Sequence, residues 1–311
     1  EIPIIGHQTI VLTTTTARRS YATLPGTTDN QQPQNQQVQQ SEVPAKKQSK
    51  IVELFQKSKA LVVFYKNGLK ELWANKKAAK ALIQQVEQQG YQLTRSDYQL
   101  IHKSKKDMIK LAPFGLIFLV LPESIPLFVI FAPGIIPSTC VTESQVLKQR
   151  QKLDEARQRM SSNVITASHQ IGRITPEDFL SLRKFLKIAK GYQYDFELPQ
   201  ISKDNLGAYC RFMGLKSWGT KGMLEKRLNK HLDYLLEDDK LIAKEGVQSL
   251  STPDLQQAVE ERGMRSVNVD EEQLQQSLDY WISVHLNEQE SIPRGLLVFS
   301  RMFLLNANYS K

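Results

Sequence analysis

The sequence predicts an all-α protein in which one proline-interrupted apolar segment precedes a helical, water-soluble domain. Three observations predict it. Apolar residues recur at helical spacing on both sides of the segment. Residues 111–137 are almost entirely apolar. A helix–turn–helix pattern occurs twice in the last third of the chain. With 311 residues, the chain has room for about two domains of ordinary size.

The first residues have the composition of a targeting segment. Residues 2–28 contain no acidic side chain, are rich in threonine and include the pair Arg18 and Arg19. This composition is typical of a mitochondrial transit peptide, and we predict cleavage near Arg19, Tyr21 and Ala22. Residues 29–50 are glutamine-rich and show no apolar periodicity, which predicts a disordered linker.

Residues 51–110 are predicted to form amphipathic basic helices. Apolar residues recur at helical spacing from Ile51 to Trp73 with lysines between them, and we expect a break or kink at Gly68. Two interpretations stay open. The lysines are either the solvated face of a packed helix, or they contact the headgroups of an anionic membrane on which the helix lies.

Residues 111–137 are the predicted transmembrane segment. A helix of this length exceeds the roughly 30 Å hydrocarbon core, and its five prolines would disrupt a buried helix of a soluble protein. Glu123, flanked by Pro122 and Pro126, is its one ionisable residue. A carboxylate in the bilayer indicates an ion or proton pathway, unless Glu123 only accepts a bond from a neighbouring helix. One span cannot enclose a pathway, so exchange would require a homo-oligomer.

Residues 138–311 are predicted to form the helical domain. A charged helix is expected from Glu143 to Met160. A second begins at Thr175, where a threonine cap is followed by proline and two acids, and Gly191 can end it. The apolar stretch from Gly295 to Leu305 is too short to span a membrane and predicts a final helix.

A repeat lies within this domain. Ser202 and Gly214 recur 49 residues later as Ser251 and Gly263, and the register slips by one residue after the glycine. Each copy reads as a helix, a glycine-closed turn and a returning helix, similar to SAP-type nucleic-acid modules. The first copy is basic, and its candidate contacts to the phosphates of a nucleic acid are Lys203, Arg211, Lys216, Lys221, Lys226, Arg227 and Lys230. The alternative is that both copies are packing units whose lysines are merely solvated.

Charge is distributed unevenly along the chain. The whole chain has a net charge of +9. Residues 146–232 carry a net charge of +9 and residues 233–311 a net charge of −7, so of these two stretches only the first can attract phosphate. The flanks of the apolar segment carry similar numbers of lysines and arginines and do not orient it. We find no catalytic constellation, cofactor motif or metal-spaced cluster, and we expect Cys140 and Cys210 to be buried apolar residues.

Several blocks resemble the Letm family, the leucine-zipper and EF-hand-containing transmembrane proteins of the mitochondrial inner membrane. They cover roughly residues 60–305 in five ordered pieces. These are FYKNGLKELW at 64–73, LTRSDYQLIHKSKKDMIKLAPFGLIFLVLPE at 93–123, GIIPST at 134–139, DDKLIAKEGVQSLSTPDLQQAVEERGMR at 238–265 and WISVHLNEQESIPRGLLVFSRMFLL at 281–305.

The resemblance implies one membrane segment followed by a ribosome-binding, 14-3-3-like domain in the matrix. It implies mitochondrial ribosomes and inner-membrane lipids as partners. It further implies a role in cation homeostasis through potassium–proton or calcium–proton exchange, and in the insertion of newly made respiratory subunits. The sequence has no EF-hand loop, so it is expected to be a short member without the EF-hand and coiled-coil extension. The alternative function is a membrane-organising scaffold without transport activity.

Overall fold

The computed structural model describes residues 50–120, 133–171 and 174–309, and these ranges contain helices and no β-strand. The predicted cleavage residues Arg19, Tyr21 and Ala22 lie outside the described residues, as do the transit peptide and nearly all of the linker. The α-helices are α1 (Lys50–Gln89), α2 (Arg95–Val120), α3 (Glu143–Ile171), α4 (Pro176–Leu180), α5 (Leu182–Gly191), α6 (Lys203–Phe212), α7 (Lys221–Glu245), α8 (Thr252–Glu261), α9 (Glu271–His285) and α10 (Arg294–Leu304).

Helices α1 and α2 pack against each other, and α1 continues through Gly68. The expected break at Gly68 is therefore wrong. A Cβ atom at this position would lie 2.6 Å from the carbonyl oxygen of Thr139 and 2.8 Å from Sγ of Cys140. Glycine is required here because the short 3₁₀ turn Ser138–Cys140 crosses the helix at backbone contact distance.

Helix α2 enters the predicted membrane segment without interruption at residue 110. It runs through Pro113 to Val120 and leaves Ile109 and Leu116 at 77% and 66% exposure. Glu123, Pro122 and Pro126 lie outside the described residues. Among the helices that the structure describes, none has the length and apolar character needed to cross a bilayer.

The main core joins α3 through α10. The predicted helix start at Thr175 is confirmed: Thr175 is the N-cap, Pro176 begins α4, and the Asp178 carboxylate accepts from the Thr175 backbone N–H at 3.0 Å. The single helix expected to run to Gly191 is instead two helices, because Ser181 is extended at φ −91° and ψ 110°. Both helices direct a buried phenylalanine into the core, and the rings of Phe179 and Phe185 meet edge to face at 5.3 Å.

The predicted final helix is confirmed as α10, which is buried on nearly all sides and packs on α3, α4 and α6. Cys140 and Cys210 are fully buried free thiols, as expected. Burial raises the pKa of both thiols. The main core includes residues from both repeat copies and from the helices that flank them.

Candidate nucleic-acid interface

The two repeat copies begin in the same way. The Ser202 hydroxyl accepts a hydrogen bond from the backbone N–H of Asn205 at 3.3 Å, and this caps α6. The Ser251 hydroxyl accepts the corresponding bond from Asp254 at 3.4 Å and caps α8. Each serine satisfies one of the amide groups that a helix start leaves without a partner.

The first helix of each copy also ends in the same way. Gly214 and Gly263 have φ values of +73° and +75°. In each copy the next N–H bonds back five residues, from Leu215 to Cys210 at 2.7 Å and from Met264 to Val259 at 3.0 Å. These are Schellman ends, and they reverse the chain for the returning helix.

The one-residue slip of the repeat lies in the turn. Thr220 caps α7 six residues after the first glycine, whereas Asp270 caps α9 seven residues after the second. The longer turn contains Asn268 at φ 54°, the one non-glycine residue with positive φ in the described chain. Asparagine tolerates this left-handed conformation better than most residues. The predicted repeat and its slip are confirmed.

Arg157 of α3 joins the two copies. Its guanidinium donates to the backbone carbonyls of Phe212 at 2.7 Å, Met264 at 2.9 Å and Glu260 at 2.8 Å. These carbonyls lie at the ends of α6 and α8, where helix C-termini leave acceptors unpaired. Burial lowers the pKa of Arg157 to about 10, and nearby carboxylates partly offset this effect. The sequence pattern of α3 did not predict that Arg157 joins the two copies.

We define the basic surface as the seven cationic side chains predicted from the first copy. They lie on α6, in the following turn and in the first three turns of α7. Five of them are exposed and two are half-buried. The exposed ones are Lys203, Arg211, Lys216, Lys226 and Lys230.

The two half-buried members of the basic surface support the backbone. Lys221 donates to the carbonyl of Pro199 at 2.5 Å. Arg227 donates to the carbonyl of Lys216 and, at 3.2 Å, to that of Trp218. Arg227 therefore holds the turn in place, whereas Lys221 ties the start of α7 to the segment before α6. The exposed members remain the predicted contacts.

Lys230 lies towards α2. Burial lowers the pKa of Lys106 on α2, Glu261 opposes this, and Lys110 and Lys230 add to the lowering by repulsion. Lys230 thus extends the basic surface to the lysines that precede the predicted membrane segment.

Trp218 is the feature of this surface that charge counting missed. Its side chain is 65% exposed, and its ring centroid lies 5.9 Å from Nζ of Lys216 and 5.9 Å from Cζ of Arg227. An exposed aromatic ring among cations is the combination on which single-stranded nucleic-acid bases stack. The available sequence signal was a tryptophan in a turn, between Ser217 and Gly219.

A buried charge network fixes α2 against α7. Asp238 accepts from Nε of Arg95 at 3.0 Å, from Gln99 at 2.7 Å and from Nη2 of Arg262 at 2.8 Å. Burial alone would raise the pKa of Asp238, but the guanidinium groups of Arg262 and Arg95 hold it below its ordinary value. The network ties α2, the helix that leads to the predicted membrane segment, to both repeat copies.

Asp239 completes this network on the side of the second copy. It accepts from Nε of Arg262 at 2.8 Å and from the Trp281 indole at 2.8 Å, and it lies 2.6 Å from Nδ1 of His285. Arg262 is fully buried between the two aspartates. Within the described ranges, no group of histidine, cysteine, aspartate and glutamate side chains is arranged to hold a metal ion.

Comparisons with known proteins agree with this architecture. Residues 163–304 match the family model described as LETM1-like, RBD. The chain is 31% identical over 268 residues, 79% of its length, to the "Mitochondrial proton/calcium exchanger protein" of Drosophila melanogaster. It is 26% identical over 278 residues, 82% of its length, to "LETM1 domain-containing protein mdm28, mitochondrial" of Schizosaccharomyces pombe. The matches span 26% and 58% of those two proteins. The chain belongs to the Letm family.

Proposed function

We propose that this chain is a mitochondrial inner-membrane protein that binds mitochondrial ribosomes through the basic surface of its first repeat copy. The observation that carries the proposal is Trp218, exposed between Lys216 and Arg227 at the tip of that copy. The matching family model adds support, since RBD denotes a ribosome-binding domain in the Letm family.

The physical basis of this binding is the exchange of small cations for protein cations on RNA. Lysines and arginines that contact phosphates release condensed counterions, so affinity falls as salt rises. Lys203, Arg211, Lys216 and Lys226 are exposed and can reach phosphates. Trp218 adds stacking on an unpaired base, which salt does not screen.

Membrane attachment would come from residues 111–137, with the repeat-containing domain in the matrix. Ile109 and Leu116 lie seven residues apart on α2, and both are mostly exposed to solvent. Such a spacing places the two side chains on one face of the helix. An apolar face at the entrance to an apolar segment suits insertion into lipid, close to ribosomes engaged in inserting new respiratory subunits.

The test compares two double variants. Each one replaces two lysines of α7, or of the turn before α7, with glutamate. The full chain is cosedimented with mitochondrial ribosomes over a range of salt concentrations. Lys216→Glu with Lys226→Glu should weaken binding about a hundredfold and reduce the salt dependence by about two counterions. Lys240→Glu with Lys244→Glu makes the same charge change in the acidic half of α7 and should leave binding unchanged.

Trp218 provides the second arm of this test. Trp218→Ala should weaken ribosome binding about tenfold at every salt concentration, because base stacking is lost. Trp218→Phe keeps an aromatic face and should restore most of the affinity. If both charge-reversal pairs weakened binding equally, or if Trp218→Ala had no effect, the basic surface would not be the contact site.

A second candidate function is cation–proton exchange. The observations that favour it are the name of the Drosophila relative and the single carboxylate, Glu123, in the apolar segment. The purified chain in liposomes should then exchange potassium or calcium for protons as a homo-oligomer. Glu123→Gln should abolish that exchange, whereas Glu143→Gln, outside the segment, should not. A chain that moves neither ion would act as a membrane-organising scaffold.

A further inference from the structure

Three arginines of the helical domain are almost completely buried, and two of them are fully satisfied. Arg157 donates to three backbone carbonyls, and Arg262 is paired with Asp238 and Asp239. These two side chains follow the general rule that a buried guanidinium is paired or hydrogen-bonded. They provide the standard against which the third arginine is compared.

Arg301 of α10 departs from this rule. Arg301 is 2% exposed, and its Nε is buried without a hydrogen-bond partner. Among the described residues no carboxylate forms an ion pair with it, and the ring centroid of Tyr309 lies 5.9 Å from its Cζ. The positive charge of Arg301 also lowers the pKa of Arg157, after the larger effect of burial. The fold therefore holds two guanidinium groups that repel each other, and one of them, Arg301, has no carboxylate partner within the part of the chain that the structure describes.

Arg301 lines a pocket of about 280 Å³ between α9, α10 and the turn that follows α8. We call it the arginine pocket. Arg265 is its second cation, and the Nε of Arg265 is likewise buried without a hydrogen-bond partner. Arg265 lies 3.8 Å from Asp154, a distance at which the pairing is weak. No carboxylate lines the pocket within the described residues, and Gln273 adds an amide.

We infer that the arginine pocket binds a phosphate group of a small molecule. A guanidinium presents paired N–H donors that match the oxygens of phosphate, and burial strengthens that interaction. The anion supplies the counter-charge that Arg301 lacks and reduces its repulsion of Arg157. The volume is at the small end of ligand pockets, which suits inorganic phosphate or the phosphate of a mononucleotide.

The second repeat copy forms one wall of this site. Met264, Arg265 and Val269 come from its turn, and Gln273 comes from its returning helix. Val269 follows Asn268, the left-handed residue of the longer turn. The extra residue that distinguishes the second copy thus lies beside the pocket, so the two copies differ where each would meet a phosphate.

The test uses the purified full chain in detergent and measures the thermal midpoint at constant ionic strength. Inorganic phosphate replacing chloride should raise the midpoint saturably, and adenosine monophosphate forms a parallel arm that separates free from esterified phosphate. Arg301→Met should remove the response in both arms. Without phosphate its midpoint should equal or exceed that of the wild type, because an uncompensated buried charge has been removed.

Arg183→Met is the matched control, since it removes an exposed arginine from α5 that lies outside both the arginine pocket and the basic surface, and it should keep the full phosphate response. Arg265→Gln tests the site independently if Arg301→Met does not fold, and it should shift the response to at least tenfold higher phosphate. A wild-type response in Arg301→Met or in Arg265→Gln would overturn the proposal. So would a wild-type chain that responds to neither ligand.

Discussion

The two repeat copies share their backbone and differ in what they do with side chains. The residue 49 positions after Trp218 is Val267, and these side chains are 65% and 8% exposed. The residue 49 positions after the exposed Arg211 is Glu260, which pairs with Arg150 at 3.1 Å. Identical caps preserve the fold, so the side chains between them have been free to diverge. At these two positions the first copy exposes a side chain that the second copy buries or pairs, although both copies contribute to the main core.

The same divergence appears at the end of the first helix of each copy. Met213 is a buried apolar residue, and its counterpart Arg262 is buried between two carboxylates. Apolar contacts suffice where α6 meets its neighbours. The second copy instead uses its arginine to bind α7 and, through Asp238, to connect to Arg95 of α2. Charge in the second copy is therefore structural.

The largest predicted effect follows from removing that arginine. Arg262→Met leaves Asp238 and Asp239 buried without their shared partner, which should lower the free energy of unfolding by about 3–5 kcal/mol. Urea unfolding monitored by tryptophan fluorescence measures this. Met213→Leu, at the equivalent position of the first copy, should change stability by less than about 1.5 kcal/mol. Equal effects at the two positions would contradict the division between the copies.

The two turn glycines should respond by different amounts. Both adopt φ values that cost an L-residue about 1–2 kcal/mol. A Cβ on Gly263 would also lie 3.0 Å from the Phe212 ring and 3.1 Å from Sδ of Met213, whereas on Gly214 it would meet a flexible Leu153 methyl at 3.3 Å. Gly263→Ala should therefore be the more destabilising variant in thermal unfolding. The reverse order would show that the second turn is the looser one.

The smallest predicted effect concerns pH at the contact between α2 and the first copy. His102 stacks on Tyr234 at 3.8 Å, and burial, followed by repulsion from Lys106, lowers its pKa to about 4. The unfolded histidine is protonated below pH 6.5 and the folded one only below about 4, so the unfolded state binds more protons in between. The free energy of unfolding should therefore fall by about 1–2 kcal/mol as the pH is lowered from 6.5 to 4, after allowance for partial exposure.

His102→Phe keeps the stacked ring and removes the titrating group. Chemical denaturation at several pH values should show a shallower loss of stability between pH 6.5 and 4 for this variant. Part of the slope should remain, because burial also lowers the pKa of His231. An unchanged slope would mean that His102 is already protonated in the folded protein at pH 5.

The sequence predicted the repeat because its signals are local. A serine cap and a positive-φ glycine each act within a few residues, so Ser202 and Gly214 could be recognised by spacing. Gly68 was misread because its role depends on a contact with Thr139, which is far away in the chain. The break at Ser181 was missed because periodicity alone does not reveal a bend within an apolar pattern.

The site was predicted less completely than the fold. Charge counting identified the basic surface, but it could not separate the exposed Lys216 from Arg227, which supports the turn. Trp218 and Arg301 were not singled out, because exposure and burial follow from tertiary packing rather than from neighbours in sequence. The membrane role of residues 111–137, with Glu123, Pro122 and Pro126, stays a prediction.

The most direct test of the account is a lysine-acetylation footprint of the full chain with and without bound mitochondrial ribosomes. We expect bound ribosomes to protect Lys203, Lys216 and Lys226 of the first copy. Lys240 and Lys244, exposed in the acidic half of α7, should be modified equally in both samples. Protection of the second pair alone, or of neither group in a sample with ribosomes bound, would contradict the central claim that the first copy is the contact surface.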